Sequence, residues 1–168
     1  YWVLVEPIWD TVSIYDGPET FLQQYAASPE ASQVLFAAHW CQSEINNGGF
    51  EQFFSNSTGV LAPEGVSAFR TIGMPQTATT IEKAMSVFGP TYPRDRDERE
   101  DALEACWDAA EDPETGPFGN LDEVQKLHPE ARKLTLQAAA AHLVADPAID
   151  IVVELIGGYG VARDRVLA

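Results

Sequence analysis

Basic residues are scarce in this sequence: ten Lys and Arg stand against 26 Asp and Glu in 168 residues, a net charge of −16. Proteins that grip nucleic acid do so largely through Lys and Arg that neutralise phosphates, so no direct nucleic-acid binding is expected. The same sign disfavours docking on an anionic membrane surface. Cysteine is nearly absent. Cys41 and Cys106 make no disulfide framework and point to a reducing, cytoplasmic setting. No apolar run approaches the roughly 18 residues a membrane span needs. The opening Tyr1-Trp2-Val3-Leu4-Val5 stops at Glu6, too short for the core of a secretory signal. Metal and nucleotide motifs are missing too, with no Cys-x-x-Cys and no His-Glu-x-x-His. His39, His128 and His142 fall on three separate expected helices, and Gly157-Gly158-Tyr159-Gly160 has neither a following Lys nor a clear preceding strand. His39 and Cys41, two positions apart, point to different sides of a helix. No cofactor, no metal and no enzymatic activity are therefore expected.

What the chain does have is a hydrophobic content of 45%, enough in one domain of this length to bury a core without staples. Proline and glycine punctuate it in a repeating way. Pro suits the first position of a helix and Gly the residue just past its end. That grammar predicts helices over Pro7–Tyr15, Pro18–Ala27, Pro29–Asn47, Pro63–Ile72 and Pro75–Phe88. Apolar spacing agrees: Val34, Leu35, Ala38, Cys41, Gln42 and Ile45 follow the three-and-four pattern with one polar member, and Ile81, Met85 and Phe88 do the same. Further helices are expected over about Asp95–Glu111, Leu121–Leu127 and Pro129–Ala145, with residues 112–120 as a loop. The apolar tail Ala148–Ile156 fits a buried strand or a short helix; with no other strand to pair with, helix is the expectation. The fold class is all-α, a single compact domain of about eight helices spanning residues 1–168.

The acidic residues are concentrated. Residues 95–123 hold twelve of them and only two basic residues, Arg96 and Arg99, a local charge of −10. At about 100° per residue, Asp97, Asp101, Glu104, Asp108, Glu111 and Asp112 fall within one arc of about 100° on the expected helix, apart from the apolar Leu103, Cys106, Trp107 and Ala110. Like charges four apart on a helix repel by roughly 0.2–0.5 kcal/mol per pair, and a merely solvated face usually mixes signs. Such a row serves either as a solubilising surface or as a contact surface for a basic partner. One carboxylate per turn repeats at ~5.4 Å, comparable in scale to the ~3.4 Å axial spacing of phosphates along one DNA strand.

The most distinctive segment runs from Glu44 to Gly59. Asn47 and Gly48 suit the end of a helix, with Gly48 expected at positive φ, and Gly49 lets the backbone turn again. Phe50, Phe53 and Phe54 share one face and are expected in the core. Two readings stand side by side: a helix–turn–helix corner locked by its glycines, or a corner at which Glu44, Asn47 and Gln52 line a ligand notch.

The run Leu35-Phe36-Ala37-Ala38-His39-Trp40-Cys41-Gln42-Ser43-Glu44, followed by Asn47-Gly48-Gly49-Phe50, Gln52-Phe53-Phe54, Asn56 and Gly59, resembles the bacterial DNA-mimic protein family, also known as a domain of unknown function. The resemblance continues through Ala62-Pro63-Glu64, Phe69–Gly73 and Tyr92-Pro93-Arg94, covers about residues 1–125 and fades beyond. It implies an all-α fold and, as in the founding member, an acidic monomer or homodimer that imitates DNA and occupies the DNA-binding face of a transcriptional regulator. The resulting expectation is an acidic interaction protein that meets a basic DNA-binding protein through Asp97, Asp101, Glu104, Asp108, Glu111 and Asp112. The motif residues Glu44, Asn47, Gly48, Gly49, Phe50, Gln52, Phe53, Phe54 and Asn56 are expected to be structural. The alternatives are a module with another target, such as a toxin-neutralising protein, or a small-molecule binder or enzyme using the Glu44–Gln52 corner.

Overall fold

The computed structural model describes residues 2–110 and 116–122. They form helices α1 (Trp2–Trp9), α2 (Pro18–Ala26), α3 (Glu30–Ser55), α4 (Ala62–Thr71), α5 (Pro75–Met85) and α6 (Arg96–Asp108), with short 3-10 turns at Ser57–Leu61, Ser86–Phe88 and Gly116–Phe118. There is no strand among the described residues. The fold is all-α, as expected. The helices expected at Pro129–Ala145 and in the Ala148–Ile156 tail lie outside the described residues, as do all but the first two residues of the Leu121–Leu127 helix. No helix among the described residues is long and apolar enough to cross a membrane.

Helix α3 is the spine. Helices α1, α4 and α6 all pack against it, and α4 carries α5. Its buried residues Leu35, Phe36, Ala38, Cys41 and Ile45 follow the spacing of three and four that one face of a helix presents. Phe21 and Tyr25 bring α2 onto it: Phe21 lies 6.4 Å from Phe36 between ring centroids, and the Tyr25 hydroxyl donates to the Gln33 carbonyl at 2.8 Å.

Proline marks three helix starts as expected, with Pro18 and Pro75 opening α2 and α5 and Pro63 in the first turn of α4. Pro7 breaks the pattern. The expected Pro7–Tyr15 helix is instead α1, Trp2–Trp9, with Pro7 inside it. An internal proline forfeits a backbone hydrogen bond. Val5 and Ile8, at 0% and 1% exposure, bury that helix against the core, and tertiary packing contributes more to a short helix than propensity does. The second difference is at α3, which does not end at Asn47. It bends and continues to Ser55, with non-helical backbone at Gly48 and Gly49.

Candidate interaction surface and motif corner

Helix α6 begins at a capped end. The Asp95 carboxylate accepts from the backbone N–H groups of Asp97 (2.9 Å) and Glu98 (3.3 Å), satisfying two of the donors that a helix start leaves open. Asp97, Asp101, Glu104 and Asp108 are all exposed. Among the described residues none of the four pairs with a basic side chain, and the arginines are engaged elsewhere: Arg70 with Glu82, Arg94 with Glu64 and Arg96 with Glu100. Glu111 and Asp112 lie outside the described residues.

The inward side of α6 holds one residue that periodicity overlooked. Leu103 is buried and Cys106, Trp107 and Ala110 half-buried, and with them lies Arg99 at 0% exposure. Its guanidinium meets no carboxylate at ion-pair distance among the described residues. It is caged instead by backbone carbonyls: Nε donates to Phe54 (2.8 Å), Nη1 to Arg94 (2.6 Å) and Asp95 (3.1 Å), and Nη2 to Asn56 (2.9 Å). Burial lowers its pKa, opposed by Tyr92 and Asp95. A buried charge is tolerated only with its hydrogen bonds satisfied, and the planar fork of arginine can serve several carbonyls at once. The signal was legible: Arg99 sits four residues before Leu103 and seven before Cys106, on the apolar line.

The cage fastens α6 to the end of α3. A neighbouring strap helps. The Tyr92 hydroxyl donates to the Gly59 carbonyl at 2.8 Å, and Arg94 makes a two-pronged pair with Glu64 at 2.6 and 2.9 Å.

At the motif corner Phe50, Phe53 and Phe54 are each 0% exposed and pack on one another and on Phe118. The positive φ falls on Gly49 (φ 79°, ψ −170°), not on Gly48 (φ −139°). This corrects the expectation for Gly48. Gly48 is required for a different reason: Gln52 folds directly over it, leaving no space for a Cβ. A Cβ on Gly49 would lie 2.6 Å from the Asp122 carboxylate, which accepts from the Phe50 N–H at 2.8 Å. Asp122 thus caps the resumed helix from 72 residues away, a role that its place in an acidic stretch does not suggest.

The polar motif residues hold one another. Glu44 Oε2 accepts from Gln52 Nε2 (2.7 Å) and Asn56 Nδ2 (2.9 Å), and Gln52 Oε1 accepts from Asn47 Nδ2 (3.2 Å). Together with Ser43 and Asn46 these side chains line an open polar notch. A second concavity, not foreseen from the sequence, is an apolar groove lined by Trp9, Val12, Ile14, Tyr15, Phe36 and Trp40, in which Trp9 and Trp40 stack at 4.9 Å.

His39 lies against Trp9 and Trp40, and burial lowers its pKa. Cys41 is fully buried, and burial raises its thiol well above the usual range, so it is not a poised nucleophile. Among the described residues no group of three His, Cys, Asp or Glu is placed to hold a metal ion.

Comparison with known proteins adds a family. A 35-residue stretch is 63% identical to homoserine dehydrogenase of Methylobacillus glycogenes, covering 21% of this chain and 8% of that enzyme, too small a share to carry the enzyme's activity across. No solved structure matches. The family model described as DMP19-like protein matches residues 26–144. The match begins later than the resemblance seen in the sequence and continues past Leu121, where that resemblance fades. It takes in α3 to α6 and the whole motif corner, and the chain belongs to this DNA-mimic family.

Proposed function

We propose that this protein is an acidic interaction protein that binds a basic, DNA-binding protein by presenting a DNA-like row of negative charge. The observation that carries the reading is the outer face of α6: Asp97, Asp101, Glu104 and Asp108 are exposed on one helix face with no basic side chain among the described residues paired to them. Family membership supports it. The local repulsion that such a row accepts makes physical sense where a cationic surface relieves it. The reading is of a binding protein and not an enzyme, in keeping with the buried Cys41 thiol and the mutually bonded polar motif residues. Its partner is a cytoplasmic DNA-binding regulator.

The test is association with a DNA-binding protein captured from lysate, measured at rising ionic strength and in competition with duplex DNA. Exposed charges are screened beyond ~8–10 Å at physiological salt, so affinity is expected to fall steeply with salt, DNA is expected to displace this protein, and D101N/D108N is expected to slow association. Affinity indifferent to salt, to DNA and to the double substitution would overturn the reading.

A further inference from the structure

The polar notch at the kink of α3 carries an unbalanced charge. Glu44 is half-buried, and its carboxylate is held by two neutral amides, those of Gln52 and Asn56. Among the described residues it has no cationic partner. Both of those hydrogen bonds fall on Oε2, so Oε1 is not engaged by them. Asn47 and Asn56 each turn their amide nitrogen into the network, and their side-chain amide oxygens accept no hydrogen bond from the described residues. Hydrogen bonds to neutral donors hold a carboxylate in place, but they do not cancel its charge. The notch therefore presents one carboxylate and several oxygen acceptors at its surface, with the Arg99 charge buried behind Asn56, all fixed in position by bonds within the motif and by the close seat of Gln52 on Gly48.

The notch is also continuous with α6. Asn56 bonds Glu44 through its side chain and the buried Arg99 through its carbonyl. Arg96, in the first turn of α6, donates from Nε to the Ser55 carbonyl at 2.8 Å. The corner and the start of the acidic helix thus form one connected surface.

We infer that the notch is a receptor for one arginine side chain of a protein partner. A guanidinium is planar, permanently charged and rich in donors, so it can meet a carboxylate oxygen and amide carbonyls in one plane. A lysine ammonium is a compact, strongly hydrated charge without that fork, and an anion is repelled. The inference rests on the reading of the chain as an acidic interaction protein and adds to it a fixed point of register. The α6 row attracts basic surfaces in general, whereas a single guanidinium seat selects where one of them docks.

The experiment is an NMR titration of the full chain with N-acetyl-arginine methylamide, following the side-chain amide signals of Asn47, Gln52 and Asn56, with the lysine analogue as comparison. Saturable shifts at millimolar arginine probe, weaker with lysine, are expected. E44Q is expected to abolish them. E19Q, which removes one exposed negative charge on α2, is expected to leave them. Should E44Q lower the melting temperature, S43R provides the second variant: Ser43 is exposed at the rim, outside the hydrogen-bond network, and a guanidinium tethered there is expected to fill the notch and block the probe. In partner binding, E44Q is expected to weaken affinity on the order of tenfold or more, the size of a charge-assisted hydrogen bond. Shifts that do not saturate, that survive both E44Q and S43R, or that are equal for the lysine analogue would overturn the inference, as would partner affinity unchanged by E44Q. If the probe saturates the notch and E44Q weakens the partner, yet affinity ignores salt, duplex DNA and D101N/D108N, the charge-mimic reading fails and the arginine seat stands.

Discussion

The motif corner and the outer face of α6 are both rich in polar side chains, and both sit on helices that meet the same core, yet they are built on opposite principles. At the corner most of the polar groups turn to one another, with Glu44 held by Gln52 and Asn56, Gln52 by Asn47 and the Phe50 amide by Asp122, and only Glu44 Oε1 and the side-chain oxygens of Asn47 and Asn56 are left outside those bonds. On α6 the four described carboxylates of the row have no basic side chain among the described residues to turn to. A polar residue that serves the fold is recognised by its partners within the chain. Under the proposed function, one that serves a partner is recognised by lacking them where the lack costs energy. The two regions also differ in what holds them from beneath, a set of buried phenylalanines in one case and a buried cation in the other.

That contrast can be broken from either side. The largest effect is expected beneath the corner: Phe53→Ala removes a fully buried ring and should lower the unfolding free energy by about 3–5 kcal/mol in a denaturant titration. Arg99→Lys comes next. An ammonium has three donors and no fork, so it cannot serve the carbonyls of Phe54, Asn56, Arg94 and Asp95 together, and a loss of about 2–3 kcal/mol is expected in the same measurement. Gly49→Ala places a side chain at φ 79° and ψ −170° and against the Asp122 carboxylate. About 1–3 kcal/mol should be lost, with faster hydrogen exchange at the Phe50 amide as its uncapped helix end frays. The smallest effect is on the row itself. Asp101→Asn with Asp108→Asn removes like-charge contacts and should leave stability unchanged or raise it by about 0.2–0.5 kcal/mol per relieved pair. A clear loss of stability there would show that the row serves the fold after all, and the contrast would collapse.

How much of this was legible depended on how local the cause was. Pro18, Pro63 and Pro75 announce α2, α4 and α5 because a proline acts through its own backbone. Phe50, Phe53 and Phe54 announce a buried face because helical spacing alone brings them together. The same grammar fails at Pro7, where burial of Val5 and Ile8 is a tertiary effect that no local rule contains. It fails again at the double glycine. Which of Gly48 and Gly49 takes the positive φ is tied to how Gln52 and Asp122 close on them, and Asp122 lies 72 positions from the amide it caps. The exposed row was visible from angular position. Its lack of basic neighbours among the described residues needed Arg70, Arg94, Arg96 and Arg99 placed in space. Arg99 lay on the apolar line in plain view. A charged residue there is easily taken for an interruption of the line, whereas here it is a member of it.

The cage around Arg99 has a consequence for how freely this protein can vary. Its acceptors are main-chain carbonyls of Phe54, Asn56, Arg94 and Asp95, and every amino acid supplies a carbonyl. The lock between α6 and the spine therefore specifies a side chain at one position only and places no demand of its own on the side chains of the residues that receive it. A bridge to a carboxylate would have tied two positions together, so that neither could drift alone. With the lock written in backbone, and with the exposed carboxylates of α6 taking no part in it, those carboxylates can be moved or exchanged along the helix while the helix that carries them stays where it is.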